Sequence, residues 1–256
     1  MVKVEEIQEI CRRIRADRPL VHNITNYVAM NFTANALLAI GASPLMSSEP
    51  DEMEEIAAVS SALVVNAGCL DREQMKAIGI AVPAACRRDI PWILDPAGVG
   101  VSSMRRSFLG ELISSCPPAA IRGNASEIMT LAGYDGAGCG VDSSMAGEAA
   151  LESAAVLASR TKSVVALSGE VDYVTDGIST EKVEGGCALM PWVTAMGCAA
   201  TAVSGAFLAV EKNPFTALCG AMKLMSLAGT LAGNRCSSPG SFSVGFIDAL
   251  YEITEG

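Results

Sequence analysis

The chain has 256 residues and a single histidine, His22, so no mechanism that needs two imidazoles can operate in it. A Ser-His-Asp hydrolase would have to use His22, and no G-x-S-x-G turn is present. None of the nine cysteines falls in a Cys-x-x-Cys pair, which removes support for a zinc site or a dithiol motif. No G-x-G-x-x-G follows the first strand, with an acidic residue about 20 positions on, so a dinucleotide oxidoreductase is weakly supported. Aromatic residues make up 5% of the chain, too few for platforms that stack nucleic-acid bases. Basic residues number 18 against 28 acidic ones, for a net charge of −10 and a pI near 4.6. Such a surface has no general field for nucleic acid or an anionic membrane. No uncharged apolar run of about 18 residues suggests a membrane span. The opening MVKVEEIQEICRRIRADRPL is charged and amphipathic, without an apolar secretory core. These absences describe a cytoplasmic protein with reduced thiols, most of them small core fillers.

What is present is apolar and small. Half of the chain is hydrophobic and 24 residues are glycine, enough for a sizeable core with close packing of helices on a sheet. No linker, repeat or low-complexity block divides it, so residues 1–256 are read as one domain. Short apolar runs at 62–66, 92–95, 119–123, 163–168 and 171–176 read as strands, the last two as a hairpin turning at GEVD. Helical patterns lie between them, near 51–60, 71–87, 104–115, 124–132 and 147–160. Further helices follow near 198–211, 215–232 and 241–254. Pro83 is expected to kink or interrupt the second. NYVAMNFTANALLAIG reads as a helix ended by Gly41, and GYDGAGCGVDSS (133–144) as a surface loop. The alternation predicts an α/β fold with a mainly parallel central sheet and helices on both faces.

Ligands of such sheets bind beyond the carboxyl ends of the strands. Four strand ends there carry suggestive residues: Asn66-Ala-Gly68, Asp95-Pro-Ala-Gly-Val-Gly100, Arg122-Gly-Asn124 and Ser168-Gly169. A fifth element is WVTAMGCAATA, where Gly197 and Cys198 stand at a helix start. Unpaired N–H groups and the dipole there form an anion site, and the same dipole should lower the thiol pKa. An ordinary buried cysteine fits that pattern too. Asp95 at a strand tip is either a turn-forming residue or a carboxylate for Mg²⁺. Asn124 and Glu127 have the spacing of a capping box, yet Glu127 could also join Asp95 around a metal while Arg122 reaches a phosphate. Asn23, Thr25, Asn26, Asn31 and Asn35 crowd an otherwise apolar stretch. They cap and pack a helix or face a ligand, and ASPLM (42–46) would line the pocket. His22 reads as a hydrogen-bonded structural residue.

HNITNYVAMNFTANALLAIGASPLM, NAGCLD, ILDPAGVG, IRGNASEI, LSGEVDYVTDG and VTAMGCAATA together resemble the hydroxyethylthiazole kinases, members of the ribokinase-like superfamily. The segments run in the family's order over roughly residues 20 to 210. The resemblance implies a three-layer ribokinase-like fold and ATP-dependent phosphorylation of the alcohol of 4-methyl-5-(2-hydroxyethyl)thiazole in thiamin salvage. It also implies a homotrimer with active sites between subunits. By the same resemblance Arg122, Ser168, Gly197 and Thr194 would bind ATP. Met46, Ala195, Asn26 and Gly68 would border the thiazole, and Asp95 and Glu127 the Mg²⁺. Cys198 falls where many relatives place a general-base aspartate. One departure stands out: the family usually reads V-T-G-T-G-C, and Ala195 and Met196 replace the glycine and the second threonine. Ala195 should tighten the backbone approach only slightly, whereas Met196 adds bulk and loses a hydroxyl.

Overall fold

A computed structural model describes residues 4–134 and 143–255. In chain order the elements are α1 (Val4–Asp17), β1 (Leu20–Ile24), α2 (Met30–Ala39), β2 (Ser43–Met46), α3 (Met53–Val59), β3 (Ala62–Asn66), α4 (Arg72–Arg87), β4 (Trp92–Asp95) and α5 (Ser103–Ser115). Then come β5 (Ala120–Asn124), α6 (Ala125–Ala132), α7 (Ser143–Thr161), β6 (Val164–Ser168), β7 (Asp172–Thr175), β8 (Thr180–Val183), α8 (Met196–Val210), α9 (Pro214–Arg235) and α10 (Pro239–Glu255).

All eight strands form one sheet in the order β2-β1-β3-β4-β5-β6-β7-β8. It is parallel from β2 to β6 and antiparallel across β6-β7-β8. Helices cover both faces. On one, α1, α2, α8, α9 and α10 pack around Ile14, Phe207, Phe242 and Phe246. On the other, α3 to α7 pack around Trp92, Ile78, Leu109 and Leu157. Strands covered on both sides need no polar face, which is why β3 (ALVVN) and β4 (WILD) are buried at every position.

Helix starts follow side-chain capping. Asp71 accepts from Gln74 N–H, Ser102 from Arg105 N–H and Asn213 from Phe215 and Thr216 N–H. Asn124 and Glu127 complete a reciprocal capping box on α6. Helix α2 is shorter than its apolar pattern and ends before Gly41, which takes the left-handed conformation at φ 92°.

Several expectations are corrected. β1, β2 and β8 were not read as strands: ASPLM forms the edge strand β2, and the polar stretch before Asn26 forms β1. Helix α4 runs through Pro83 without a break. The residue four positions earlier, whose carbonyl the ring opposes, is Gly79. Cys86 and Cys116, at the ends of α4 and α5, lie side by side with Cα atoms 6.8 Å apart. Cys11, Cys69, Cys187, Cys198, Cys219 and Cys236 are free. Residues 135–142 of the segment read as a surface loop, with Cys139, lie outside the described residues, and Ser143 and Ser144 at its end begin α7. Helix α9 is long and apolar enough to cross a membrane, but 67% of its apolar window is buried in the fold.

Helix α8 carries the fold into the site. It is buried all round from Ala199 to Leu208, against β1, β3 and β4 on one side and α1, α2 and α9 on the other. It lies close to the sheet at Gly205, where a Cβ would come within 2.7 Å of Val64 Cγ2. Gly205→Ala should therefore cost about 1–3 kcal/mol despite alanine's better helix propensity, measured by urea unfolding.

Candidate active site

β3 and β4 end side by side, with Asn66 paired in register with Asp95. Asp95 is 2% exposed, and its Oδ2 accepts hydrogen bonds from Asn66 Nδ2 (2.7 Å) and Thr201 Oγ1 (2.9 Å). Burial pushes its carboxyl up to about 6; the Arg122 charge opposes that shift and Glu127 adds to it. Thr201 lies one turn beyond Gly197, so the same helix that presents Cys198 also steadies Asp95.

Cys198 is the third residue of α8. Its Sγ accepts from Asn26 Nδ2 and Asn66 Nδ2, both at 3.3 Å. The expectation of a lowered thiol pKa is overturned. Burial raises it and the Asp95 charge adds to the rise, outweighing the two amides and Arg122. A helix dipole acts on a group that sheds little solvation, whereas this thiol sits inside the fold beside a carboxylate.

On the other side of Asp95, Arg122 Nε donates to Ser168 Oγ at 2.9 Å. The guanidinium lies over the start of α8, where a Cβ on Gly197 would collide with it. The first turn of α8 has no side-chain cap, so its backbone donors and the guanidinium lie next to each other at the helix start. That arrangement suits an anion. Glu127 spans two loops, with Oε1 accepting from Gly98 N–H (3.1 Å) and Oε2 from Asn124 N–H (2.9 Å).

A cavity of about 810 Å³ opens from this point. Arg122, Asn124, Ser168 and Asp172 stand on its polar side, and Cys187, Met190, Met222 and Met225 form a sulfur-rich wall. Asp172 Oδ1 accepts from Gly169 N–H at 3.0 Å, and burial raises its carboxyl.

The remaining predicted residues are placed as follows. Gly68 N–H donates to Asn66 Oδ1, and a side chain at Gly68 would press on Asn26. Thr194 is exposed in the loop before α8. Met46 is half-buried at the end of β2, beside Asn23 of β1 and outside the network. Ala195 caps α8 in the left-handed region, at φ 68°. Its effect is therefore not the slight tightening expected: an L residue is held where glycine is at ease. His22 is buried and its Nε2 lies 3.1 Å from the Ser47 carbonyl, a structural contact.

Sequence reasoning gave no role to Thr201, Asp172, Arg105 or the sulfur wall. Arg105 donates to the carbonyls of Ala67, Gly68 and Ala97, tying together the loops that follow β3 and β4. For Thr201, its position four residues after Gly197 was the available signal.

The fold is shared with a ribokinase-like superfamily protein from Enterococcus faecalis, at a TM-score of 0.69 and 12% identity over 96% of this chain and 94% of that one. More specifically, residues 11–256 match the model of the hydroxyethylthiazole kinase family. The hydroxyethylthiazole kinase of Nitratidesulfovibrio vulgaris is 46% identical over 255 residues, covering all of this chain and 96% of its own. The solved hydroxyethylthiazole kinase from Pyrococcus horikoshii superposes with a TM-score of 0.89 at 37% identity, covering 97% of this chain and 94% of that one. The chain belongs to the hydroxyethylthiazole kinase family.

Two substitutions test the local physics. The folded Asp95 pKa lies above its unfolded value, so ionising it opposes folding. The penalty is absent below about pH 4 and complete above about pH 6. Asp95→Asn should stabilise the chain at pH 7 by up to about 3 kcal/mol and lose that advantage near pH 4, measured by urea unfolding at both pH values. Ala195→Gly should relieve the left-handed strain and gain about 0.5–1 kcal/mol in the same assay.

Proposed function

We propose that the chain transfers the γ-phosphoryl group of ATP to the primary alcohol of 4-methyl-5-(2-hydroxyethyl)thiazole, a cytoplasmic step of thiamin salvage. The observation that carries this reading at the site is the gathering of Cys198, Asp95, Arg122 and the uncapped first turn of α8 at the ends of β3, β4 and β5, with Arg122 and Gly197 also lining the cavity. Phosphoryl transfer asks little covalent help from the protein and much positioning and charge stabilisation.

In this reading ATP lies in the 810 Å³ cavity with its phosphates toward Arg122, Ser168, Gly197 and Thr194. The Arg122–Ser168 hydrogen bond holds the guanidinium against Gly197. There it and the α8 N–H groups take up charge growing on the transferred group. The thiazole sits on the other side of Asp95, bordered by Asn26, Gly68, Ala195 and Met46. Cys198 faces the hydroxyl. Its raised pKa keeps most of the thiol protonated near neutral pH, so it is the minor thiolate form that orients the alcohol and accepts its proton, becoming the thiol late, as transfer completes.

The residues fit Mg²⁺ of the kind that is held mainly by phosphate and water oxygens. Such an ion takes one or two protein carboxylates rather than a full cage, and no group of three or more His, Cys, Asp or Glu side chains converges among the described residues. Asp95 and Glu127 are near enough to raise the Asp95 pKa, and Asn66 and Thr201 bond only Oδ2, leaving Oδ1 for another partner. Mg²⁺ bound there would neutralise charge between the β- and γ-phosphates.

We read the assembly as a homotrimer with active sites between subunits. Tyr27 and Val28, beside Asn26, are 61% and 67% exposed and would be covered by a neighbouring copy.

The test is an ADP-release assay with the thiazole alcohol, with and without Mg²⁺. Cys198→Ala should lower kcat by about 10²-fold while ATP binding, followed by calorimetry, stays intact. Asp95→Ala and Glu127→Ala should instead weaken the Mg²⁺ dependence. No ADP release with the thiazole alcohol would overturn the reading.

A further inference from the structure

We propose that Asn66 is a positioning residue of the transfer site, fixing the Cys198 sulfur and the Asp95 carboxylate relative to each other through one amide. Asn66 is fully buried at the tip of β3, one strand from Asp95. Its Oδ1 accepts from Gly68 N–H (2.9 Å) and from Asn26 Nδ2 (3.0 Å). Its Nδ2 donates to Asp95 Oδ2 (2.7 Å) and to Cys198 Sγ (3.3 Å). All four hydrogen-bonding positions of the amide are used.

The orientation of this amide is dictated by the backbone. Gly68 N–H can only donate, so the end of Asn66 that faces it must be the oxygen, and the NH₂ must face Asp95 and Cys198. Asn26 is locked in the same manner, because its Oδ1 accepts from Ala29 N–H at 2.9 Å. Two amides with no freedom to flip therefore aim N–H groups at one sulfur. The sulfur is held as an acceptor, and its own proton is turned away from both amides. A flipped or missing Asn66 would release the sulfur and one side of the carboxylate together, whereas loss of Asn26 would remove one donor to the sulfur and one to Asn66 Oδ1 while leaving both donors to Asp95 in place.

This inference rests on the reading of Cys198 as the group that handles the alcohol proton, and a double-mutant cycle separates the two. Asn66→Ala should lower kcat by about 10–100-fold, with KM for both substrates and the calorimetric ATP affinity within about threefold of the parent. In the Cys198→Ala background the same change should cost several-fold less than in the parent, because the part of its effect that passes through the sulfur is gone and only the part through Asp95 remains. Asn26→Ala leaves Asp95 untouched. It should show a smaller loss in kcat that also vanishes in that background, apart from any change in KM for the thiazole that Asn26 borders, and it serves if Asn66→Ala does not fold by circular dichroism. If Cys198→Ala is slow but the losses multiply, Asn66 does not act through the thiol and this inference alone falls. If Cys198→Ala turns over at the parent rate, the thiol has no role in transfer and both readings fall.

Discussion

The transfer end of the sheet is organised around one costly act, the burial of the Asp95 carboxylate. A charge taken out of water must be met by donors or by opposite charge. Asn66 and Thr201 supply donors and Arg122 supplies charge. Each comes from a different element, namely β3, α8 and β5. Asp95 thereby ties the strand tips to the helix that covers them, and those ties also place the thiol and the guanidinium on either side of it. Burial still wins, since the carboxyl remains well above its ordinary value. A site in that state favours the arrival of a cation, as the proposed use of Mg²⁺ requires.

The same crowding explains why helix α8 is built from small residues. Gly205 lies against Val64, and Gly197 lies beneath Arg122, so side chains at either position would push the helix from the sheet or the guanidinium from its seat. Ala195 is the exception. A methyl group at a left-handed position leaves some strain at the entrance to the anion site.

Much of the fold could be read in the sequence because buried parallel strands are short, apolar and bounded by turns. The runs at 62–66 and 92–95 are β3 and β4 with the bounds read from sequence. β1 was hidden because His22 and Asn23 interrupt its apolar run, and β2 because Pro44 stands in it. β8, with sequence TEKV, lies at the edge and carries no continuous apolar signal. At the site, residue types at strand ends picked out Asp95, Arg122, Ser168 and Cys198, which the fold brings to one place. The thiol's environment was misjudged, because a helix start is visible in a sequence and the burial around it is not. Thr201 and Asp172 escaped notice for a similar reason. Each matters through partners that only the folded chain brings near.

The two ends of the sheet have a consequence of their own. At one border Pro44 has no N–H to offer an incoming strand, and at the other Glu181 and Lys182 place charges along β8. Backbone left open at a border is a template for runaway association, and proline and charge are what discourage it. A chain that is half hydrophobic can thus keep an eight-stranded sheet finite without closing it into a barrel.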